Sequence, residues 1–281
     1  SYLLSVNYGI KPYIALRKKY NSFFEKYTTS FEVGSFIENE NILRELINKL
    51  NPTHIINTVA LSSTIECKKN PEIAFIINTD FPIKLANIVK NLNIQLIHFG
   101  SILEKESRDK CIYTTSKKLT SSFLNNFESN LPIINLSLPN HESPLRDERF
   151  FIRELITKFN NQNFLDPSNQ EKIFLRDGTT ERIWSWAPNI MNKVIKMILE
   201  NKNTIEISDD ILILSLMQFV KIVADELGLN NLIVECGESG THKQKEIHVE
   251  EVNQNIKEWI SVLFFIKFEE RFKLEKWCKV I

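Results

Sequence analysis

Glycine is scarce in this chain, seven residues in 281, a thin supply for a protein that would wrap bare backbone around a phosphate. Long apolar runs are missing as well. Nothing approaches the ~18 to 20 consecutive apolar residues of a membrane span, so no membrane partner is expected. Neither sign of charge dominates: 35 basic and 35 acidic side chains cancel, which removes the electrostatic case for nucleic acid or an anionic surface. The four cysteines (Cys67, Cys111, Cys236, Cys278) keep no metal-type or redox-type spacing, and the five histidines form no ligand cluster. No resident metal is expected, and a reduced, cytoplasmic setting is. Ser1 runs into YLLSV without a basic flank, so no secretory leader is expected at this end.

What the chain does have is a strand–helix rhythm. Tyr2–Val6 is a short apolar run that reads as a first strand, followed by a helical stretch Tyr13–Phe24. Residues 27–40 look irregular, and Asn41 is placed to cap a helix over ILRELINKL. His54–Ala60 reads as a buried strand, and Asn70-Pro71-Glu72 opens a helix with proline in its first turn. A strand at 94–99, a helix carrying Tyr113 and Lys117, and a strand at Leu131–Leu136 follow. Alternating short apolar strands and helices predict an α/β fold with a doubly wound parallel sheet. After residue 137 the rhythm loosens: a helix near 147–159, a polar loop-rich span 160–185, helices near 188–200 and 215–228, a strand at Leu232–Cys236 and an amphipathic helix over 262–280. The expected organisation is therefore a Rossmann-type domain over residues 1–137 and a smaller α/β substrate lobe over 138–281.

The stretch LIHFGSILEKESRDKCIYTTSKK, residues 96–118, holds the reactive side chains. Tyr113 and Lys117 are four apart, so on a helix they share a face. A cation beside a phenol favours its ionised form, and a phenol so tuned can exchange a proton near neutral pH. Ser101, past the turn signal of Gly100, stands where a strand end could hold a substrate oxygen. The same spacing also describes a surface Tyr and a solvated Lys, so the motif alone leaves both readings open.

With these residues in place, the chain resembles the extended short-chain dehydrogenase/reductases, and within them the dTDP-4-dehydrorhamnose reductases and nucleotide-sugar epimerases. THIINTVA (53–60) is similar to the strand ending beside the cofactor, ECKKNPEIAFIINTDFPIKLANIVK (66–90) to the Asn-Pro-Glu segment with its later Asn78, and LIHFGS (96–101) to the strand delivering a catalytic Ser or Thr. YTTSK (113–117) matches Tyr-x-x-x-Lys, and RDGTTERIWSW (176–186) looks like the segment whose Arg contacts a nucleotide-sugar phosphate. The resemblance implies Tyr113 as general acid, Lys117 holding the nicotinamide ribose, and Ser101 on the substrate oxygen. It further implies NAD or NADP lined by Gly9, Asn57, Val59, Ala60 and Asn78, a nucleotide-sugar substrate met by Arg182 and Trp184, and a homodimer.

The chain departs from the family in places. The phosphate turn aligns as Val6-x-x-Gly9-x-x-Pro12, keeping one glycine of three. Lys68 stands where relatives carry a metal-binding acid, and Asn135 where many carry Arg. Ile102-Leu103 follows Ser101 where the dehydratases place an acid and a base, which argues against dehydration. His98 reads as a core residue and Cys111 as a spectator. The expected function is an NAD(P)-dependent reductase or epimerase of a nucleotide-activated keto-sugar in surface polysaccharide or deoxysugar synthesis. The alternative is a non-catalytic binding or regulatory subunit that kept the fold and lost productive cofactor binding.

Overall fold

Tyr2–Tyr8 forms a helix, α1, where the run of apolar residues suggests a strand. Gly9 ends it in the left-handed region at φ 65°, its N–H bonded to Ser5 O at 3.1 Å. Glycine takes that conformation without penalty, and a left-handed residue just past the last turn is a standard helix stop. The expected helix from Tyr13 begins instead as a strand, β1 (Tyr13–Leu16), paired in parallel with β2 (Thr29–Glu32). Its sequence, YIAL, carries the aromatic and β-branched residues that favour extended backbone. This computed structural model describes residues 2–16, 27–32, 37, 39–104, 111–127, 133–143, 146, 150–161, 172–175, 178–207, 211–226 and 233–236. The expected helix over 262–280 and parts of those at 13–24, 147–159 and 215–228 lie outside them.

The chain divides into two compact units, Ser1–Pro139 with Lys193–Glu206, and Asn140–Asn192 with Ile207–Ile281. In the first, α2 (Glu40–Leu50) is capped by Asn39, two residues before the expected cap, with its Oδ1 accepting from Asn41 N. Then come β3 (His54–Asn57), α3 (Thr64–Lys69) and α4 (Pro71–Phe75). One π-helical turn (Ile76–Asp80) joins α4 to α5 (Phe81–Val89). β4 (Gln95–Ser101), a 3₁₀ turn (Ile102–Glu104), α6 (Ile112–Asn125) and β5 (Ile133–Leu138) complete the series.

β3, β4 and β5 pair in that order, all parallel, with Asn57 opposite His98 and Ser101 opposite Leu138. The two parallel sheets, ordered β2-β1 and β3-β4-β5, match the flanks of the doubly wound order 3-2-1-4-5-6. No described strand takes the central place. Leu43, Ile47, Phe81, Leu85, Val89, Leu96 and Leu124 form the core that clamps α2, α5 and α6 together with β4. Each such side chain contributes about 1.5–3 kcal/mol by leaving water.

The second unit corrects the expectation of a loop-rich span over 160–185. It holds β6 (Asn140–Glu142), α7 (Phe151–Asn161), β7 (Lys172–Leu175), β8 (Glu181–Trp186), β9 (Ile211–Ser215), α9 (Leu216–Glu226) and β10 (Ile233–Cys236). α8 (Ala187–Leu199) carries the boundary between units. β8 runs parallel to β6 and antiparallel to β9, and β10 is parallel to β7. Polar letters conceal β8 because its apolar residues are only three, Ile183 on one face and Trp184 and Trp186 on the other.

Candidate active site

The site is assembled at the carboxyl ends of β3 and β4, where parallel sheets bind ligands. Asn57 ends β3 and is 4 % exposed. Its Oδ1 accepts from Val59 N at 3.1 Å, bending the chain away from the sheet, and its amide nitrogen lies 3.1 Å from His98 Nδ1. His98 is buried; burial first, then the Lys117 charge, pulls its pKa from 6.5 to about 3. The imidazole is neutral and structural, as its place inside β4 suggests. Its Nε2 has no hydrogen-bond partner among the described residues.

Asn78 lies in the π-helical turn and is fully buried. π-turns often mark functional sites because the inserted residue redirects a side chain. Here Asn78 Oδ1 accepts from Leu61 N at 2.8 Å, while its Nδ2 donates to Leu61 O at 3.1 Å and Ser116 Oγ at 3.2 Å. Thr120 Oγ1 donates to Asn78 O at 2.6 Å and Thr79 Oγ1 to Ser116 O at 2.9 Å. These bonds tie the loop after β3 to α6. Val59 is half-buried and Ala60 exposed on that loop.

α6 begins at a cysteine. Cys111 Sγ accepts from Thr114 N at 3.5 Å, and Thr114 Oγ1 donates to Cys111 O at 2.9 Å. Second in the helix, half-buried Tyr113 is followed on the same face by Lys117, which is 3 % exposed. Lys117 Nζ donates to Phe99 O at 2.7 Å. This bond anchors the cation two residues before Ser101 and brings the Tyr113–Lys117 face of α6 to β4. Burial lowers the Lys117 pKa from 10.5 to about 8, and the Glu104 carboxylate acts in the opposite direction. Ser101 is 7 % exposed; its Oγ accepts from Leu103 N at 3.3 Å and its N–H donates to Glu104 Oε1 at 2.6 Å. Reading the sequence passes over Glu104, although Ser-x-x-Glu is the signature of a capping box.

Three further expected site residues are placed by other elements. Gly9 closes α1 and stands in no strand-to-helix turn. Arg182 is exposed on β8 in the second unit. Trp184 is 5 % exposed, stacks on Phe219 at 5.1 Å between centroids, and donates its Nε1–H to Leu214 O at 2.9 Å. A buried indole with a stacked ring and its donor engaged is a core side chain, so the expected substrate contact at Trp184 gives way to packing. Among the described residues no group of three His, Cys, Asp or Glu could hold a metal ion, and no helix is long and apolar enough to cross a membrane.

The Tyr-x-x-x-Lys helix against a strand ending in serine, on a parallel sheet, is the arrangement the sequence resemblance implies. The family model for GDP-mannose 4,6 dehydratase matches residues 25–259, most of the chain. The chain belongs to that family. Within this family of extended short-chain dehydrogenase/reductases the solved structures it resembles share the Rossmann-type fold at low identity. A dTDP-glucose 4,6-dehydratase from Bacillus anthracis, in complex with NAD, aligns with a TM-score of 0.71 at 15 % identity, covering 97 % of this chain and 93 % of that one. A UDP-N-acetylglucosamine 4-epimerase from Methanobrevibacter ruminantium, bound to UDP-N-acetylmuramic acid, gives 0.66 at 16 %, covering 90 % of each. RMD from Pseudomonas aeruginosa, complexed with NADPH, gives 0.63 at 11 %, covering 91 % of this chain and 98 % of that one. No curated protein matches the sequence.

Proposed function

We propose that this family member is a nicotinamide-dependent reductase or epimerase of a nucleotide-activated keto-sugar. The observation that carries the reading is the Lys117–Phe99 bond, which seats a buried cation beside Ser101 and one turn from Tyr113. The donor set suits a nicotinamide ribose: one of the three Lys117 N–H bonds is taken by Phe99 O, and the others can meet ribose hydroxyls. Val59 and Ala60, on the loop shaped by Asn57, would line the same ligand. When bound, the nicotinamide supplies or accepts a hydride at the sugar carbon. Tyr113 gives the carbonyl oxygen its proton, and Ser101 Oγ steadies that oxygen. Arg182 remains the candidate for the substrate phosphate, a role suited to a planar guanidinium.

Reduction and 4-epimerisation need no further acid or base. Ile102 and Leu103 supply none, and the first carboxylate after Ser101, Glu104, is turned back onto the Ser101 backbone. The alternative of a non-catalytic subunit rests on Val6 and Pro12 spoiling a phosphate turn. Val6 lies in a helix that Gly9 closes, so these residues form no strand-to-helix phosphate turn, and the nucleotide titration below decides between the two readings. Surface polysaccharide or deoxysugar synthesis is the setting the resemblance implies.

A homodimer fits the exposed apolar ridge of α6. Leu119 is 49 % and Phe123 39 % exposed, lining a groove with Asn87, Lys90 and Asn91 beside α5. This groove lies at the far half of α6 from Tyr113. Sedimentation giving a monomer at micromolar protein would end the pairing proposal.

Titration with NADH and NADPH is the direct test of the function. Micromolar binding is expected, with keto-sugar turnover lost in Tyr113→Phe while binding persists. Unchanged turnover in that variant, or no affinity for either nucleotide, overturns the reading.

A further inference from the structure

His98 is 1 % exposed, a ring held inside the middle strand of the β3-β4-β5 sheet. Asn57 stands opposite it on β3, and residues in register on neighbouring strands share a face of the sheet. One backbone group fixes the direction of their contact. The Val59 N–H can only donate, and the Asn57 atom 3.1 Å from it is Oδ1. Nδ2 is therefore the atom turned to the ring, 3.1 Å from His98 Nδ1. An amide N–H donates, so Nδ1 is the bare, accepting nitrogen and the imidazole proton sits on Nε2. Burial and then the Lys117 charge keep the ring from taking a second proton.

This tautomer leaves the Nε2–H without a hydrogen-bond partner among the described residues. A buried donor without an acceptor is costly, so for the core alone an apolar side chain would serve as well. What an apolar side chain cannot do is accept from Asn57. An asparagine amide is a two-fold rotor, and a half-turn would set Nδ2 against the Val59 N–H. Acceptance at Nδ1 selects the orientation in which Oδ1 makes the turn at the end of β3.

We propose that His98 is a positioning residue: its Nδ1 lone pair locks the Asn57 amide, and through it the turn that carries Val59 and Ala60 to the nicotinamide. The inference deepens the nicotinamide reading and rests on it for its functional meaning. The lock itself is a matter of two side chains 41 residues apart and one backbone N–H.

The test begins with the tautomer. In full-length protein labelled with ¹⁵N-histidine, His98→Asn identifies the His98 ring among the five histidines. Two-bond ¹H–¹⁵N correlations of the wild type at pH 7 should show a protonated Nε2 and a bare Nδ1. A proton on Nδ1 overturns the proposal, whether or not any further variant folds. His98→Leu then removes the acceptor, and His98→Asn restores one, because its Oδ1 branches from the same side-chain atom as Nδ1. In His98→Leu the Val59 amide should exchange about tenfold faster, the factor for one net hydrogen bond, and the Kd for NADH should rise by a similar factor. His98→Asn should bring both back toward the wild-type values. Leu and Asn variants that behave alike overturn the proposal, since packing would then account for the effect. So does a Val59 amide that exchanges at the wild-type rate in His98→Leu. The tautomer and the Val59 exchange are read without nucleotide. A wild type that binds no NADH therefore ends the nicotinamide reading and leaves the lock to be judged on those two measurements.

Discussion

Lys117 in the first unit and Glu142 in the second are both ionisable groups taken out of water, 3 % and 7 % exposed, and their surroundings treat them differently. Burial pushes each toward its neutral form, Lys117 down to about 8 and Glu142 up to about 7. Lys117 is held at 2.7 Å by the Phe99 carbonyl and remains a cation at neutral pH. Glu142 has Arg146 Nε only at 3.9 Å, beyond hydrogen-bond range. The attraction of Arg146 and Arg153 does not outweigh its desolvation. The surroundings differ in contact and not in the size of the shift: Lys117 stays charged at neutral pH because it starts from 10.5, while Glu142 starts from 4.5.

The comparison can be broken most forcefully at Lys117. Lys117→Met should lower keto-sugar turnover by about 10²–10⁴-fold and weaken NADH binding, yet leave thermal stability at pH 7 equal or higher, because the burial cost of the charge disappears. A stability collapse instead would show that the cation is structural.

Glu142 sharpens the other side. The folded protein keeps that proton up to about pH 7 while the unfolded chain releases it near 4.5. Its contribution to stability is therefore present below pH 4.5 and lost as pH rises toward 7, about 3 kcal/mol in all. Glu142→Gln should flatten that slope in denaturant melts across pH 4.5–7; an unchanged slope would place its source elsewhere.

The smallest effect is the mirror slope at Lys117. The unfolded chain holds this proton to 10.5 and the folded one to about 8, so stability should rise with pH across that window. The gain is again about 3 kcal/mol at most, and Lys117→Met should lack it.

The first unit is legible where strands are short, apolar and bounded by glycine or proline, as at β3, β4 and the helix opening at Pro71. Ser101, Tyr113 and Lys117 can be picked out because spacing on one helix and position after one strand are local properties. The opening misleads: Tyr2–Val6 has the composition of a strand, and only the left-handed Gly9 after Tyr8 reveals a helix end. The strands over 160–185 escape local reading since β8 spreads its apolar residues over a short antiparallel pair with β9, a partner thirty residues on. Trp184 reads as a substrate contact because its segment resembles the family's substrate-binding one, and a resemblance in letters does not say what covers the side chain.

The order of residues by itself determined the α/β class, the parallel strand–helix alternation and the Ser-Tyr-Lys set, because each follows from side-chain periodicity or from a motif read along the chain. Tertiary structure alone decided that Lys117 reaches the Phe99 carbonyl, that Asn78 ties the β3 loop to Ser116, and that Glu104 turns back on Ser101 within the field of Lys117. Those arrangements depend on burial and on contacts between segments up to 38 residues apart, and no local pattern encodes how much water a side chain will lose.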